Sequence, residues 1–545
     1  MKRLIVLFVL LSLLLVGCQK KELEDNIYIF YTSDVHCGAN DDIGYDGLKA
    51  LVDETKAEHE YVTLVDCGDF LQGGTLGTFS KGQYCVDLMN KAGYDIATFG
   101  NHEFDYGLDE LCQRMSEANF ELIASNVKYT GNKENIFKDI PEYTIKEYGP
   151  IKVAFLGVMT PQSLTSSTPK YFMEDGEFVY NFYSGNEGQD FYNKVQSVVD
   201  EVKKKGADYV VALTHLGSLN DYAPYDSISL ISNTSKIDVV LDGHSHSLIV
   251  GDRYPNKNGE DVLLSSVGTK LENVGELIIG KDGTIESLIV EDFANKDEEV
   301  TKAIEEKQAA INEILAEELC ELDYDLMMYD DEGIRFSRSR ESTVGNFMAD
   351  AYRYVLNTDI GFANAGGIRN NILKGTVTYG SLFAVAPFQN TVASIEATGQ
   401  QILDALEFAA RNTEKIYKLD GKAVGECGGL FLTSGLKYTI DTSVESPVVT
   451  DGDGFFVEFN GEQRRVKDVY VLQGELYVPL EVDKVYTVAG TNYSLLDSGD
   501  GNTILKDCPV IVENGMTDVE ALYKYVKEVG FGDNYRNTEG RLIVK

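Results

Sequence analysis

Five of the six histidines in this chain fall in short polar motifs that also carry aspartate, asparagine or glycine. In order these are Asp34-Val35-His36, Gly68-Asp69 with the later His215, Gly100-Asn101-His102-Glu103-Phe104-Asp105-Tyr106-Gly107, and Gly243-His244-Ser245-His246; only His59 lies apart. Carboxylate, amide and imidazole ligands in this mixture suit a borderline divalent ion such as zinc or manganese. Asp34, His36, Asp69, Asn101, His215, His244 and His246 are too many ligands for one ion and suit two ions that share a carboxylate. Such a centre is equipment for a metal-assisted reaction on a phosphate. Taken alone, the octapeptide has a second reading, as a strand-to-helix turn whose Asn caps the helix and whose His merely packs. The gathering of nearly all histidines into these motifs favours the metal centre.

Each motif follows an apolar run. Ile27–Tyr31, Tyr61–Val65, Tyr94–Phe99, Tyr209–Leu213 and Val239–Leu241 predict strands, and Gly107-Leu108 predicts a helix start. Residues two apart on an extended segment share a face, so Asp34 and His36 can point at one ion. Glycine at 68 lets the backbone turn and leaves Asp69 at a strand tip. In an open α/β sheet the strand ends gather along one edge, which brings the polar tips together.

At 545 residues the chain is too long for one ordinary core, so two domains are expected. A formal net charge of -40 would repel a nucleic-acid backbone and excludes that polymer as a partner. A small phosphate ester can still bind where metal ions or arginines reverse the field locally. Met1-Lys2-Arg3, an apolar stretch from Leu4 to Val16 and then Gly17-Cys18 read as a secretory signal, because a spanning helix needs about 20 apolar residues. Leu15-Val16-Gly17-Cys18 resembles a bacterial lipobox, with cleavage before Cys18 and lipid attached to it. A lipoprotein on the outer side of a bacterial membrane is expected, held there by its N-terminal lipid alone; a plain signal peptide with an incidental Cys18 is the alternative. The other cysteines are odd in number and widely scattered, which is no disulfide framework. Cys37 and Cys67 flank His36 and Asp69, so each reads either as a small buried side chain or as a soft ligand.

Residues 296–319 predict an amphipathic helix with Val300, Ile304, Ile311, Leu315 and Leu319 on one stripe, joining two domains. Beyond it, Ser342 is expected to cap a helix running to Val355. Strands over Ile360–Ala363, Thr391–Glu396 and Val485–Ala489 adjoin the polar stretches Asn364 to Arg369, Ala386 to Asn390, and Thr491 to Gly501. Asn460-Gly461 is a hairpin turn signal. Arginines, aromatics and a loop carboxylate are what a nucleotide requires, although this half alone reads equally as aromatic core and surface charge.

With all these motifs in order, the chain resembles the calcineurin-like metallophosphoesterases. Asn101-His102-Glu103-Phe104-Asp105-Tyr106-Gly107, with the later motifs, is similar to the secreted bacterial 5'-nucleotidase and UDP-sugar hydrolase family. The resemblance implies a four-layer α/β/β/α sandwich followed by a second α/β substrate-binding domain. The expected divisions are a signal at 1–18, a catalytic domain at 25–297, a helical linker at 298–330 and a C-terminal domain at 331–545. One ion would take Asp34, His36, Asp69 and His246, and the other Asp69, Asn101, His215 and His244, so that Asp69 bridges. The His102 and Asp105 pair would serve catalysis, with the imidazole donating to the oxygen that gains charge in the transition state; for Asp105 a helix N-cap is the alternative. By the same resemblance Phe388 and Tyr493 stack on the base, Arg340 and Arg369 face phosphate and ribose, Asn364 and Asn390 meet polar edges, and Asp500 meets the ribose. Relatives usually carry Phe where Tyr493 stands, and here one more residue separates that aromatic from the Asp. The Gly-Gly-Asp-Gly-aromatic ending becomes Ser498-Gly499-Asp500-Gly501-Asn502. Hydrolysis of nucleoside 5'-monophosphates, with UDP-sugars as further substrates, is the implied activity. A 2',3'-cyclic nucleotide phosphodiesterase with 3'-nucleotidase activity is the alternative, disfavoured by Asp105. A nucleotide-binding surface lipoprotein without catalysis is disfavoured by the complete ligand set.

Overall fold

The computed structural model describes residues 23–545 apart from 40–41, 133–135, 175–176, 219–221, 331–332, 414–416, 420–421, 425–426 and 514. The signal segment and Cys18 lie outside the described residues.

The predicted strands form, but they are divided between two sheets rather than gathered in one. The first contains β1 (Ile27–Thr32), β2 (Tyr61–Asp66), β3 (Ile96–Ala97), β4 (Glu121–Leu122) and, later in the chain, a hairpin. The second contains β5 (Tyr143–Tyr148), β6 (Ile151–Met159), β7 (Tyr209–His215), β8 (Val239–Asp242), β9 (Leu248–Pro255) and β10 (Asp261–Val267). The hairpin strands β11 (Val274–Ile279) and β12 (Ile285–Val290) return to the first sheet, whose order is β12-β11-β1-β2-β3-β4; the second runs β9-β10-β8-β7-β6-β5. Within each sheet the central strands pair in parallel, so β1, β2 and β3 end together, as do β7 and β8.

Side-chain alternation explains the layering. Ile29 and Tyr31 on β1, and Val211 and Leu213 on β7, share one buried cluster between the two sheets. Phe30 faces the opposite way, into a cluster with residues of α1 (Gly44–Glu58) and α2 (Gln83–Ala92). Val210 and Ala212 likewise meet Phe191, Val195 and Val199 of another helix (Gln189–Lys204). The result is helix, sheet, sheet and helix in four layers. Tyr94–Phe99 contributes only the short strand β3, and the rest of that run packs Phe99 into the core beneath the site.

The helix Glu298–Leu315 starts at Asp297, whose side chain accepts the Val300 N–H. Val300, Ile304 and Ile311 are buried against the first unit, while Leu315 also touches the core of the second. Leu319 belongs to the following strand Glu318–Leu322.

The second unit has a sheet of β13 (Ile360–Asn364), β14 (Val392–Thr398), β15 (Phe431–Ser434), β16 (Val485–Thr491) and β17 (Val510–Val512), in the order β15-β13-β16-β14-β17. Ser342 caps the helix Thr343–Leu356, its hydroxyl accepting the Gly345 N–H at 3.2 Å. Asn460-Gly461 joins no hairpin: Phe456–Phe459 pairs backwards with Val448–Thr450, and Val466–Gln473 pairs with Leu436–Ile440 and Leu476–Pro479. A turn signal specifies a local bend but not the partner of the strand it follows. Among the described residues no helix is long and apolar enough to cross a membrane.

Candidate active site

The strand tips converge where the two sheets end. Asp34, His36 and His246 offer ligand atoms within 4.8 Å of one another, and Asp69, His215 and His244 do the same. Asp69 lies between the groups, with Oδ2 at 3.0 Å from His215 Nε2 and 3.9 Å from His36 Nε2. Asp34, His36, Asp69, His244 and His246 all have left-handed backbone, with φ between 46° and 77°. Such conformations cost roughly 1–3 kcal/mol each and persist where the surroundings over-determine them, as at ligand clamps.

Outer hydrogen bonds aim the ligands. His36 Nδ1 lies 2.7 Å from the Gln72 carbonyl and His215 Nδ1 2.8 Å from that of Cys67, so each ring donates backwards and turns Nε2 towards the centre. Asp34 accepts the His244 N–H at 2.9 Å, tying the first strand tip to the last. Asn101 Oδ1 is buried without a hydrogen-bond partner, and His215 Nε2 makes no well-directed hydrogen bond. Orphaned lone pairs beside carboxylates are a donor set for cations, so these residues fit two divalent ions.

The electrostatics of these residues point the same way. Burial, partly offset by His215, pushes Asp34 up to about 7. Burial opposes a charge on His215, yet Asp69 and Asp34 outweigh it and raise its pKa to about 10. The shift measures the negative charge that the two carboxylates place beside His215 Nε2. Burial holds His36 down at about 4 and His244 at about 3, leaving neutral imidazoles able to ligate.

His102 stands beside these groups. Its Nδ1 lies 2.6 Å from Asp105 Oδ2, and its backbone N–H donates to Asp69 Oδ1 at 2.8 Å. Burial lowers the imidazole pKa, but the charges of Asp105 and Asp69 prevail and hold it above the usual histidine value. Asp105 is no helix N-cap: the helix Leu108–Glu117 starts after Gly107, whose φ is +84°. Asn101 makes no cap hydrogen bond either.

Glu103 is the residue whose role the sequence concealed. Its carboxylate is buried and accepts four backbone N–H groups, from Asp69 at 2.8 Å, Phe70 at 2.7 Å, Leu71 at 3.1 Å and Gly100 at 2.5 Å. It clamps the loop of Asp69 onto the loop of Asn101. These loops lie so close that a Cβ on Gly68 would stand 2.4 Å from Gly100 N. Cys67 donates its thiol to the Leu241 carbonyl and Cys37 is buried in the outer core; neither belongs to a ligand group.

A cavity of about 800 Å³ joins this centre to the second unit. His36, Asp69, Asn101, His102, Asp105, His244 and His246 line one side, and Asn364, Arg369, Phe388, Asn390, Tyr493 and Asp500 line the other. Arg340, expected at the phosphate, lies outside it: its side chain is 58% exposed, stacks on Phe336 at 4.6 Å and approaches Asp330 at 4.0 Å. Arg335 and Arg338 line the cavity instead. The chain makes a 3-10 turn over Phe336–Arg338, which puts residues three apart on one side and turns Arg340 away. Arg369 lies 4.7 Å over the Phe388 ring, so one face of that ring carries a guanidinium. The Tyr493 hydroxyl accepts the Asp500 N–H at 3.0 Å and donates to the Thr165 carbonyl at 3.4 Å, contacts that Phe could not make.

The four-layer sandwich and the two candidate ligand groups are those of the phosphoesterases that use a dinuclear metal site. The profile described as calcineurin-like phosphoesterase matches residues 27–248, and that described as 5'-nucleotidase, C-terminal domain matches residues 327–507. The chain belongs to this family, the calcineurin-like phosphoesterases that carry a 5'-nucleotidase C-terminal domain, and is a hydrolase. It is 26% identical to the snake venom 5'-nucleotidase of Gloydius brevicauda, over 94% of this chain and 88% of the relative. It is 24% identical to the 2',3'-cyclic-nucleotide 2'-phosphodiesterase/3'-nucleotidase of Haemophilus influenzae, over 86% and 80% of the two chains. The crystal structure of a 5'-nucleotidase precursor from Thermus thermophilus shares the fold, with a TM-score of 0.75 at 24% identity, covering 95% of this chain and 99% of that one.

Proposed function

We propose that this chain releases phosphate from nucleoside 5'-monophosphates outside the cytoplasm, and that it also cleaves UDP-sugars. The observation that carries this reading is the shared cavity, in which the metal-ligand groups and His102 face Arg338, Arg369, Phe388, Tyr493 and Asp500.

The division of the chain follows the four segments set out from the sequence, 1–18 signal, 25–297 catalysis, 298–330 linker and 331–545 substrate binding, with one exception. The strand Glu318–Leu322 pairs with Gly375–Thr378, and Leu322, Leu326 and Met328 lie in the core of the second unit, so that the helix Glu298–Leu315 alone joins the two. Asp34, His36, Asp69 and His246 would hold one ion, and Asp69, Asn101, His215 and His244 the other, with zinc or manganese suiting the donors. When bound, the ions supply Lewis acidity towards phosphate oxygens and lower the pKa of water. His102, held protonated by Asp105, donates a hydrogen bond where charge develops on the phosphoryl group. Arg338 and Arg369 bind anionic oxygens, Phe388 and Tyr493 flank the base, Asn364 and Asn390 meet polar edges, and Asp500 accepts from the ribose. Lipid on Cys18 would keep the enzyme at the outer side of a bacterial membrane.

The test is phosphate release from AMP, UDP-glucose and 2',3'-cyclic AMP by the chain beginning after Cys18, with manganese or zinc and then with chelator. Metal-dependent release from AMP, falling about 100-fold or more in His102→Ala, is expected. Release from the cyclic substrate alone would favour the activity named for the Haemophilus relative. No release from any of them would leave a nucleotide-binding protein.

A further inference from the structure

The short helix Ser163–Ser166 and the residues bounding it touch three parts of the site at once. Gln162 Oε1 lies 3.4 Å from His244 Nε2. The Thr165 carbonyl accepts the Tyr493 hydroxyl from the second unit. Ser167, at the C-terminal end of the turn and only 1% exposed, donates its hydroxyl to Asp105 Oδ1 at 3.1 Å. The other Asp105 oxygen, Oδ2, is the one that meets His102 Nδ1.

We propose that Ser167 is a positioning residue for the reaction, acting through Asp105 on the His102 imidazole; the kinetic part of this proposal rests on the phosphohydrolase reading above. The torsion about the bond to an aspartate carboxyl group is broad, so a carboxylate held at one oxygen swings freely about it. Held at both oxygens, by Ser167 and by His102, the Asp105 carboxylate has a fixed plane, and that plane fixes the direction of the His102 ring. The supporting turn is braced by backbone hydrogen bonds from Ser166 N to Gln162 O at 2.8 Å and from Ser167 N to Ser163 O at 3.3 Å. Because the same turn receives Tyr493, the aromatic wall of the substrate cavity and the His102 pair are seated on one short piece of backbone.

Two experiments on the full mature chain test this. Ser167→Ala is expected to lower kcat on AMP about tenfold with KM within about twofold, and to lower it no further when Asp105→Asn is already present, because residues acting as one unit are not additive. Ser167→Cys keeps the volume with a much weaker donor and is expected to follow Ser167→Ala at unchanged Tm, which separates orientation from folding. Independently of turnover, the His102 Nδ1 proton resonance of the metal-free protein, identified by its loss in His102→Gln, is expected to shift or broaden in Ser167→Ala. Multiplying losses in the double variant, or an unmoved His102 resonance, would overturn the proposal. Absence of AMP hydrolysis by the wild type would overturn the phosphohydrolase reading and leave the resonance experiment to decide the role of Ser167.

Discussion

Glu103 and Asp69 are joined through the backbone: the Glu103 carboxylate accepts the Asp69 N–H at 2.8 Å while also holding the N–H groups of Phe70, Leu71 and Gly100. Asp69, which lies between the two ligand groups, therefore owes its position to a side chain that belongs to neither group. Burial and the nearby Asp69 charge push Glu103 up to about 7, against the N–H groups that favour its ionised form.

Glu103→Gln replaces one acceptor oxygen with an amide donor facing N–H groups. Each stranded N–H costs about 1–3 kcal/mol, and the displaced ligand loop lowers metal affinity roughly 10- to 100-fold. Urea unfolding and calorimetric titration with manganese check both effects. Equal affinity in the variant would show that the Asp69 loop holds its shape unaided.

The ligand groups predict that metal stabilises the fold. Binding to the native state alone at 100 times Kd adds about 2.7 kcal/mol, so Tm rises with added manganese or zinc and falls with chelator. In His215→Ala that rise is expected to shrink, since one group loses the imidazole that adjoins Asp69. A Tm indifferent to metal in the wild type would contradict the assignment.

Arg338 and Arg340 separate two placements of the phosphate contact. Arg338 lines the cavity, whereas Arg340 stacks on Phe336 at the surface. Loss of a charged hydrogen bond costs about 1.5–3 kcal/mol, so Arg338→Ala is expected to raise KM for AMP roughly 10- to 100-fold and Arg340→Ala to leave it nearly unchanged. Steady-state kinetics on both variants decide between them.

Asp518, which belongs to neither ligand group, gives a pH dependence of stability. It opens the helix Asp518–Glu528 and is 3% exposed, and its N–H donates to the Asn390 carbonyl at 2.7 Å. Burial pushes its pKa up to about 8. An unfolded aspartate ionises near 3.9, so between about pH 4 and 8 the folded state keeps a proton that the unfolded state has lost, and stability falls as pH rises. Asp518→Asn removes this term. The Tm advantage of the variant over the wild type is expected to be small at pH 4 and to grow towards pH 8; parallel Tm curves would refute the assignment.

The polar strand tips were legible in the sequence because their signals are local. The apolar run Ile27–Tyr31, the glycines at 68, 100 and 243, and the clustering of histidine after such runs each depend on a few neighbouring residues. The cap at Ser342 is equally local, one hydroxyl reaching the N–H three residues on. What only the tertiary structure decided are relations between segments far apart in the chain. These include the division of five aligned strand tips between two facing sheets, the grip of Glu103 on the Asp69 loop, the turn that presents Arg338 rather than Arg340, and the meeting of Ser167 with Asp105. The physical reason is that the pattern of a strand or turn states which side of its own backbone a residue occupies, whereas which distant loop lies opposite is settled by packing the layers together.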